Sequence, residues 1–328
     1  MLALLAITVL APIEMKLPIG AQSPDSVNVG GAVHVVYEES QNGWYTRYGG
    51  QDRVRINSAL GSVQAGGERG PKIAVSGDRV YAAWQSDYRL GPKAWFSRSI
   101  DGGQTFEAQR NLIDGKTPGI DEVTVASAGD LVAVFWLDGR TGPDPESPVT
   151  SGIWYTLSRD GGRTFGTNQQ LFTADKTRAC SCCSFDVKMS SDETATIAYR
   201  SGIRNVREVY LLTGNVGTNT WSSKKVSTTN WVLAACPMDG PRRVDGATAY
   251  EIDGKVYVKE DSSLEPTLLG RGKYPSVLET PANVFAIWQD GGNLSWRWLK
   301  GGQSGKLPTG LSRAALAADP DGQPLIVH

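Results

Sequence analysis

Short stretches of alternating apolar and polar residues recur along the chain, and each is typical of a β-strand with one buried face. Six of these stretches end in an aromatic residue followed by a polar or acidic one. They are VVYEES at Tyr37, AAWQSD at Trp84, VFWLDG at Trp136, IAYRSG at Tyr199, TAYEID at Tyr250 and AIWQDG at Trp288. A short strand precedes each stretch and a third strand follows it, with a period of roughly 40 to 60 residues. This pattern predicts an all-β fold of four-stranded antiparallel propeller blades.

Two segments share the pattern Ser-x-Asp-Gly-Gly-x-Thr-Phe, namely Ser99–Phe106 and Ser158–Phe165. Each follows an alternating strand, as a hairpin turn does. The Asp side chain can accept backbone N–H groups across the turn, and the two glycines supply positive φ. A degraded third copy spans Thr213–Trp221. We expect Asp101 and Asp160 to hold the two full turns together, with Phe106 and Phe165 buried beneath them.

The two ends of the chain bear on the number of blades. AALAAD and PLIVH at the C-terminus resemble the first two strands of one more blade. LALLAITV and IEMKLPI near the N-terminus could complete it, because a blade shared between the ends closes the ring and removes sheet edges. This interpretation favours seven blades in one domain, residues 1–328. The alternative is six blades, with residues 1–22 forming a signal peptide.

Charge and composition exclude several classes of protein. The chain has 33 Lys and Arg against 34 Asp and Glu, without a basic block, so we expect no nucleic-acid partner. The apolar segment 2–13 is too short to span a bilayer, and we expect no transmembrane span. The apolar fraction of 40% is sufficient for a folded core.

The Ser-x-Asp-Gly-Gly-x-Thr-Phe motif resembles the Asp box of the sialidase superfamily of β-propellers. This resemblance implies that the first strand of each blade lines the central axis. The loops leading into these strands, here called the leading loops, would share one rim with the loops that join second and third strands. The Asp boxes would lie on the opposite rim in a structural role. The functional face should therefore be the leading-loop rim.

A sialidase also implies three arginines that clamp a substrate carboxylate, a tyrosine nucleophile with its activating glutamate, and an aspartate acid/base. The catalytic candidates on this resemblance are Tyr274, Glu251, and Asp87 or Asp121. The substrate-binding candidates are Arg69, Arg200, Arg207, Arg242, Glu68 and Asp239. The Arg-Ile-Pro segment found near the start of sialidases is missing here.

All four cysteines, Cys180, Cys182, Cys183 and Cys236, fall in two leading loops. The pattern C-x-C-C followed by C-P-M-x-G-P resembles a group of exported, sialidase-like bacterial propellers. One interpretation is a disulfide from Cys236 to Cys182 or Cys183. A second is a copper site in which the Met238 thioether joins the thiolates. A third is free or redox-active thiols.

The leading hypothesis is a secreted or periplasmic propeller that binds a glycan or other small polar ligand at one rim. On the sialidase resemblance it would be an exo-acting glycoside hydrolase that requires no cofactor. The alternatives are a non-catalytic scaffold for a protein partner, and a protein that handles thiols or copper through the cysteine cluster.

Overall fold

Seven β-sheets arranged in a closed ring make up the fold. The computed structural model describes residues 11–66, 68–143, 146–147, 150–171, 178–281, 283–308 and 313–328. The first strands of consecutive sheets contact one another around the ring, and the first strand of the last sheet contacts that of the first. The chain is a seven-bladed all-β propeller, which confirms the seven-bladed prediction and rules out the six-bladed alternative. Among the described residues, no helix has the length and apolarity needed to cross a membrane.

Blades 1 to 6 are four-stranded antiparallel meanders whose strands follow one another in sequence from the axis outward. Blades 1 to 3 contain β2 (Gln22–Val29), β3 (Ala32–Glu39), β4 (Asn42–Arg47) and β5 (Val54–Arg55); β6 (Lys72–Ser76), β7 (Arg79–Gln85), β8 (Ala94–Ser99) and β9 (Arg110–Asn111); and β10 (Ile120–Ala128), β11 (Leu131–Asp138), β12 (Thr150–Ser158) and β13 (Gln169–Gln170). Blades 4 to 6 contain β15 (Asp186–Met189), β16 (Thr194–Arg200), β17 (Val209–Asn215) and β18 (Thr220–Lys225); β19 (Arg242–Val244), β20 (Ala247–Ile252), β21 (Lys255–Glu260) and β22 (Thr267–Arg271); and β23 (Lys273–Glu279), β24 (Val284–Asp290), β25 (Asn293–Trp298) and β26 (Ser304–Leu307).

Four short elements lie in the connections of this ring. Strand β14 (Ala179–Cys180) pairs with the beginning of β12. Single turns of 3-10 helix follow the second strands of three blades, at Tyr88–Leu90, Gly139–Thr141 and Ile203–Asn205.

Blade 7 is shared between the two ends of the chain, as predicted. Strands β27 (Ala315–Ala318) and β28 (Pro324–Val327) are antiparallel, and β1 (Ile13–Met15) pairs with β28. Strand β1 runs parallel to β28, so this pair departs from the antiparallel pattern of the other blades. A parallel β1 brings the chain to the leading-loop rim, where β2 begins, so no connection has to cross the blade. The predicted strand LALLAITV lies outside the described residues.

The aromatic residue that marks each second strand is a core residue. None of the six exposes more than 6% of its surface. Trp84, for example, packs with Val36 and Tyr45 of blade 1 and with Ile73 of its own blade. Burying a large apolar side chain stabilises the fold by about 1.5–3 kcal/mol. The repeated aromatic therefore joins each sheet to its neighbour.

Each Ser-x-Asp-Gly-Gly-x-Thr-Phe segment forms the turn between the third and fourth strands of its blade. Asp101 accepts hydrogen bonds from the backbone N–H of Thr105 at 3.0 Å and from its hydroxyl at 2.6 Å. Asp160 makes the same two contacts with Thr164. These bonds hold the pKa of each aspartate below its usual range. The following Phe106 and Phe165 pack against the core but are only partly buried, because the turns lie at the rim.

A Gly103→Ala substitution tests the packing of the first turn. Gly103 has a φ of 91°, and a Cβ there would overlap the ring of Tyr45. Gly77 has a φ of 58° with nothing within 4 Å of a Cβ, so Gly77→Ala carries the backbone strain alone. Because of the added overlap, Gly103→Ala should lower the free energy of unfolding by about 1–3 kcal/mol more than Gly77→Ala. Urea denaturation measures both, and equal losses would show that the ring does not pack as described.

Candidate functional site

The leading loops meet at one mouth of a central cavity of about 340 Å³. Lys72, Arg242, Tyr274 and Arg313 line this cavity. The first three lie at the start of their strands, and Arg313 lies just before β27. The Asp-Gly-Gly turns lie at the other rim, where the Gly102 N–H donates to the Asp78 carbonyl, between β6 and β7, at 2.8 Å. The polar leading-loop mouth and the two turns therefore occupy opposite faces.

Glu68 forms the centre of a buried ion cluster at this mouth. Its Oε1 atom lies 2.9 Å from Arg313 Nη2 and 3.2 Å from Arg242 Nη2. Its Oε2 atom accepts the Ser184 N–H at 3.0 Å. Burial raises the pKa of Glu68, but Arg242 and Arg313 outweigh that effect and hold it below its usual range. A pair of guanidinium groups is thus arranged to clamp a carboxylate, and Glu68 supplies one.

Tyr274 and Asp239 lie side by side next to this cluster. The Tyr274 N–H donates to Asp239 Oδ2 at 2.8 Å. Asp239 Oδ1 is buried without a hydrogen-bond partner among the described residues. The guanidinium carbon of Arg313 lies 5.3 Å from the centre of the Tyr274 ring. Burial, together with the charge of Glu68, raises the pKa of Asp239 to about 7. Asp239 is therefore a carboxyl group that can hold a proton near neutral pH.

Two further groups at the mouth, buried Glu122 and partly buried Lys72, have pKa values shifted toward neutral pH. Burial and the neighbouring charge of Asp121 raise the pKa of Glu122 to about 8. Burial lowers the pKa of Lys72 to about 8. The Glu122 N–H donates to Gln85 Oε1 at 3.1 Å. Such shifted groups in a cavity are typical of functional sites.

Three of the sequence candidates form ion pairs away from the Glu68 cluster. Arg69 donates two hydrogen bonds to the Asp121 carboxylate, of 2.7 and 2.8 Å. Asp87 pairs at 2.7 Å with Arg89, whose side chain is 71% exposed. The structure therefore does not direct Arg69 toward Arg242 and Arg313, and it does not bring Asp87 to Tyr274.

Arg200, Arg207 and Glu251 are buried and brace the surrounding loops. Arg200 donates to the backbone carbonyls of Asp239, Arg207 and Glu251 at 2.7–2.9 Å. Its Nη2 atom also lies 3.6 Å from Glu251 Oε2. Arg207 Nε donates to the Leu233 carbonyl at 3.1 Å. Through these bonds to main-chain carbonyls, the two arginines support the loop that carries Asp239.

The four cysteines meet on the same rim. A disulfide joins Cys182 to Cys236, one of the two predicted pairings. Cys180 and Cys183 are free and buried, with their sulfur atoms 3.1 Å apart. Cys180 Sγ also lies 3.7 Å from Cys236 Sγ. The hydrogen bond from Cys183, with the charges of Arg207 and Arg200, lowers the pKa of Cys180 to about 7.

The sulfur atoms of Cys180, Cys183 and Cys236 all lie within 4.8 Å of one another, which is close enough to surround one soft metal ion. Cys236 is nevertheless bonded to Cys182, so it offers no thiolate in this state. Met238, the other expected ligand, exposes 38% of its surface. The donor set therefore fits a copper ion poorly while the disulfide is formed.

Arg313, Lys72 and Ser184 were not among the site residues expected from the sequence. Arg313 precedes the first strand of blade 7, just as Tyr274 lies at the start of β23. Applying the leading-loop rule to the last blade would have found it. Glu122 follows Asp121 in a leading loop, but the pKa shifts of Glu122 and Lys72 come from burial, which a short motif does not show.

No protein-family model and no curated protein matches the sequence. Solved structures do match. A Penicillium chrysogenum α-L-arabinanase complexed with arabinobiose is 12% identical with a TM-score of 0.53, over 85% of this chain and 88% of that one. The Fusarium graminearum α-L-arabinofuranosidase Arb93A is 10% identical with a TM-score of 0.52, over 91% and 98%. Both show the fold alone. A Trypanosoma rangeli sialidase, 13% identical over 84% of this chain and 51% of that one, has a TM-score of 0.48, too low to carry an argument.

The pH dependence of stability should reveal the raised pKa of Asp239. A carboxyl whose pKa is raised by folding stabilises the fold fully below its unfolded pKa, and this contribution is lost as the pH rises through the folded value of about 7. The amide of Asp239→Asn does not ionise, so the variant avoids that loss. Its free energy of unfolding should therefore rise relative to that of the wild type as the pH increases from about 4 to 7. Urea denaturation at several pH values measures the difference. A constant difference across this range would show that Asp239 is ionised throughout.

Proposed function

We propose that the protein binds a glycan at the leading-loop mouth and hydrolyses a terminal glycosidic bond there, as an exo-acting glycoside hydrolase of sialidase type. The observation that carries the proposal is the pair formed by Tyr274 and Asp239 beside the Arg242–Arg313 clamp. It combines a phenol, a carboxyl that keeps its proton near neutral pH, and paired guanidinium groups. Those are the groups that hydrolysis of an acidic sugar through a covalent intermediate requires.

Each residue has a role in this proposal. Asp239 donates its proton to the glycosidic oxygen as the leaving group departs, and the resulting carboxylate takes up the hydroxyl proton of Tyr274 as the Tyr274 oxygen attacks the anomeric carbon. When water releases the sugar, Asp239 returns this proton to the departing Tyr274 oxygen and takes up a proton from the attacking water. Arg242 and Arg313 present their N–H groups to the sugar carboxylate, which shares them with Glu68. The reaction needs no cofactor.

The remaining candidates act through position. Arg200 holds the backbone carbonyls of Asp239 and Glu251. Asp121 supplies a negative charge that Arg69 neutralises, Glu122 keeps its proton below about pH 8, and Asp87 pairs with Arg89. In this proposal Asp239 is the carboxyl that acts directly with Tyr274, in place of Glu251, which was expected from the sequence.

The fold likeness to a fungal arabinanase solved with arabinobiose accords with a saccharide ligand. The two Asp-Gly-Gly turns have the hydrogen bonding expected of Asp boxes. The disulfide accords with a secreted or periplasmic location, since disulfides persist mainly in oxidising compartments.

A panel of fluorogenic methylumbelliferyl glycosides tests the proposal. The panel should include sialic acid, glucuronic acid, arabinofuranose and neutral hexoses. We expect the purified protein to release the fluorophore from an acidic sugar in preference to its neutral counterpart. Folded protein that neither cleaves nor binds any sugar of the panel, with binding measured by calorimetry, would contradict the proposal and favour a non-catalytic scaffold.

A further inference from the structure

The cysteine cluster holds two kinds of sulfur at two depths. Cys180 and Cys183 expose 0% and 2% of their surface and carry free thiols. Cys182 and Cys236, which form the disulfide, are partly exposed. A buried thiol therefore lies directly behind a disulfide that faces solvent. The glycan proposal gives this arrangement no role.

The distance between thiol and disulfide is that of a contact. Cys180 Sγ lies 3.7 Å from Cys236 Sγ, so no other group separates the two sulfur atoms. Exchange begins when a thiolate attacks one sulfur of a disulfide, and it therefore requires this contact. The Cys183 thiol donates a hydrogen bond to Cys180 Sγ, 3.1 Å away. Cys180 Sγ is therefore the acceptor of the pair and can act as the nucleophile.

The charges around Cys180 favour a thiolate. Arg207 is fully buried, and its Nη1 atom has no hydrogen-bond partner in the described part of the chain. A Cβ placed on Gly202 would lie 2.8 Å from Arg207 Nη1 and 3.4 Å from the Cα of Cys180, so the guanidinium lies beside this cysteine. A buried cation without a carboxylate partner is stabilised by a nearby anion. The Cys180 thiolate supplies one.

We propose that the cluster is a thiol–disulfide exchange centre, in which buried Cys180 opens the Cys182–Cys236 disulfide from inside and releases Cys182 as an exposed thiol. The Cys180 thiolate attacks Cys236 Sγ, the Cys180–Cys236 bond forms, and the Cys182–Cys236 bond breaks. Cys182 leaves as a thiolate and takes up the proton that Cys180 lost. The step conserves atoms and electrons and needs no external oxidant.

The ligand of this centre is a disulfide-bearing molecule. The released Cys182 thiolate attacks the ligand disulfide, forms a mixed disulfide with one half, and expels the other half as a thiolate. Attack on that mixed disulfide by a second thiol returns Cys182. Meanwhile Cys180 and Cys236 stay joined in the internal disulfide, and Cys183 remains a free thiol.

Trapping with N-ethylmaleimide in the native state tests this proposal. The reagent alkylates exposed thiols irreversibly, so it should draw the equilibrium toward the isomer with free Cys182. We expect peptide mapping of the wild-type protein to find alkylated Cys182 together with a Cys180–Cys236 disulfide. An intact Cys182–Cys236 disulfide, with alkylation of Cys180 and Cys183 only after denaturation, would overturn the proposal.

Two matched variants identify the attacking sulfur. Cys180→Ser should lower the rate of Cys182 alkylation at least about tenfold, because it removes the attacking thiolate. Cys183→Ser retains Cys180 and should still permit alkylation of Cys182. Equal rates in wild type and Cys180→Ser would exclude Cys180 as the nucleophile. The wild-type map decides the question even if a variant fails to fold. Stoichiometric copper retained by the purified protein, with Cys180 and Cys183 protected from alkylation, would also contradict exchange.

Discussion

The Asp239→Asn variant should lose roughly 10²–10⁴-fold in kcat toward the glycoside that the wild type cleaves, which is the usual contribution of a general acid. The amide keeps the shape of the carboxyl but has no acidic proton to give to the leaving oxygen. Asp239 is suited to this role because burial raises its pKa to about 7. Initial rates at saturating substrate measure the effect.

The pH profile gives this prediction a second readout. The acid must be protonated to act, so the wild-type kcat/KM should fall as the pH rises through about 7. The residual activity of Asp239→Asn should lack that fall. Asp130→Asn is a suitable control, because Asp130 lies on the opposite rim and its side chain is 68% exposed. If the two variants were equally active, Asp239 would not be the acid.

Replacing Arg200 by methionine should lower the free energy of unfolding by about 3–5 kcal/mol, as is usual when one partner of a buried charge pair is removed. The Arg200 side chain is 0% exposed and satisfies three backbone carbonyls as well as facing Glu251. Methionine fills similar space but leaves the carbonyls unpaired and Glu251 without its cation. Urea denaturation at neutral pH measures the loss.

Arg204→Met is the matched control for this substitution. The Arg204 side chain is 72% exposed and its ion pair with Glu146 spans 3.4 Å, so its removal should cost about 0–1 kcal/mol. Comparable losses in the two variants would mean that Arg200 is not the brace described here.

The sequence was sufficient to predict the blades, because their signals are local. An alternating strand with a buried aromatic repeats in every blade from Tyr37 to Trp288, and each turn motif follows its own strand. The shared seventh blade was predictable too, because an unpaired pair of C-terminal strands needs a partner. The parallel direction of β1 was not predictable from the sequence, because it depends on the rim at which blade 1 begins.

The site was predicted only in part, because its contacts join distant parts of the chain. Glu68 and Arg313 are 245 residues apart in sequence and meet only when the ring closes. Arg200 and Arg207 are substrate-binding candidates in the sequence because arginines suit a carboxylate. The structure buries both against backbone carbonyls, and burial is not visible in a short motif.

The location of a bound sugar tests the central claim most directly, namely that the ligand site is the leading-loop mouth. A crystal structure of Asp239→Asn with the preferred glycan should show the sugar in contact with Tyr274, Arg242 and Arg313. The competing place is the groove on the opposite face, lined by Tyr45, Arg47 and Gly102. A sugar bound in that groove, with the leading-loop mouth free of it, would contradict the account.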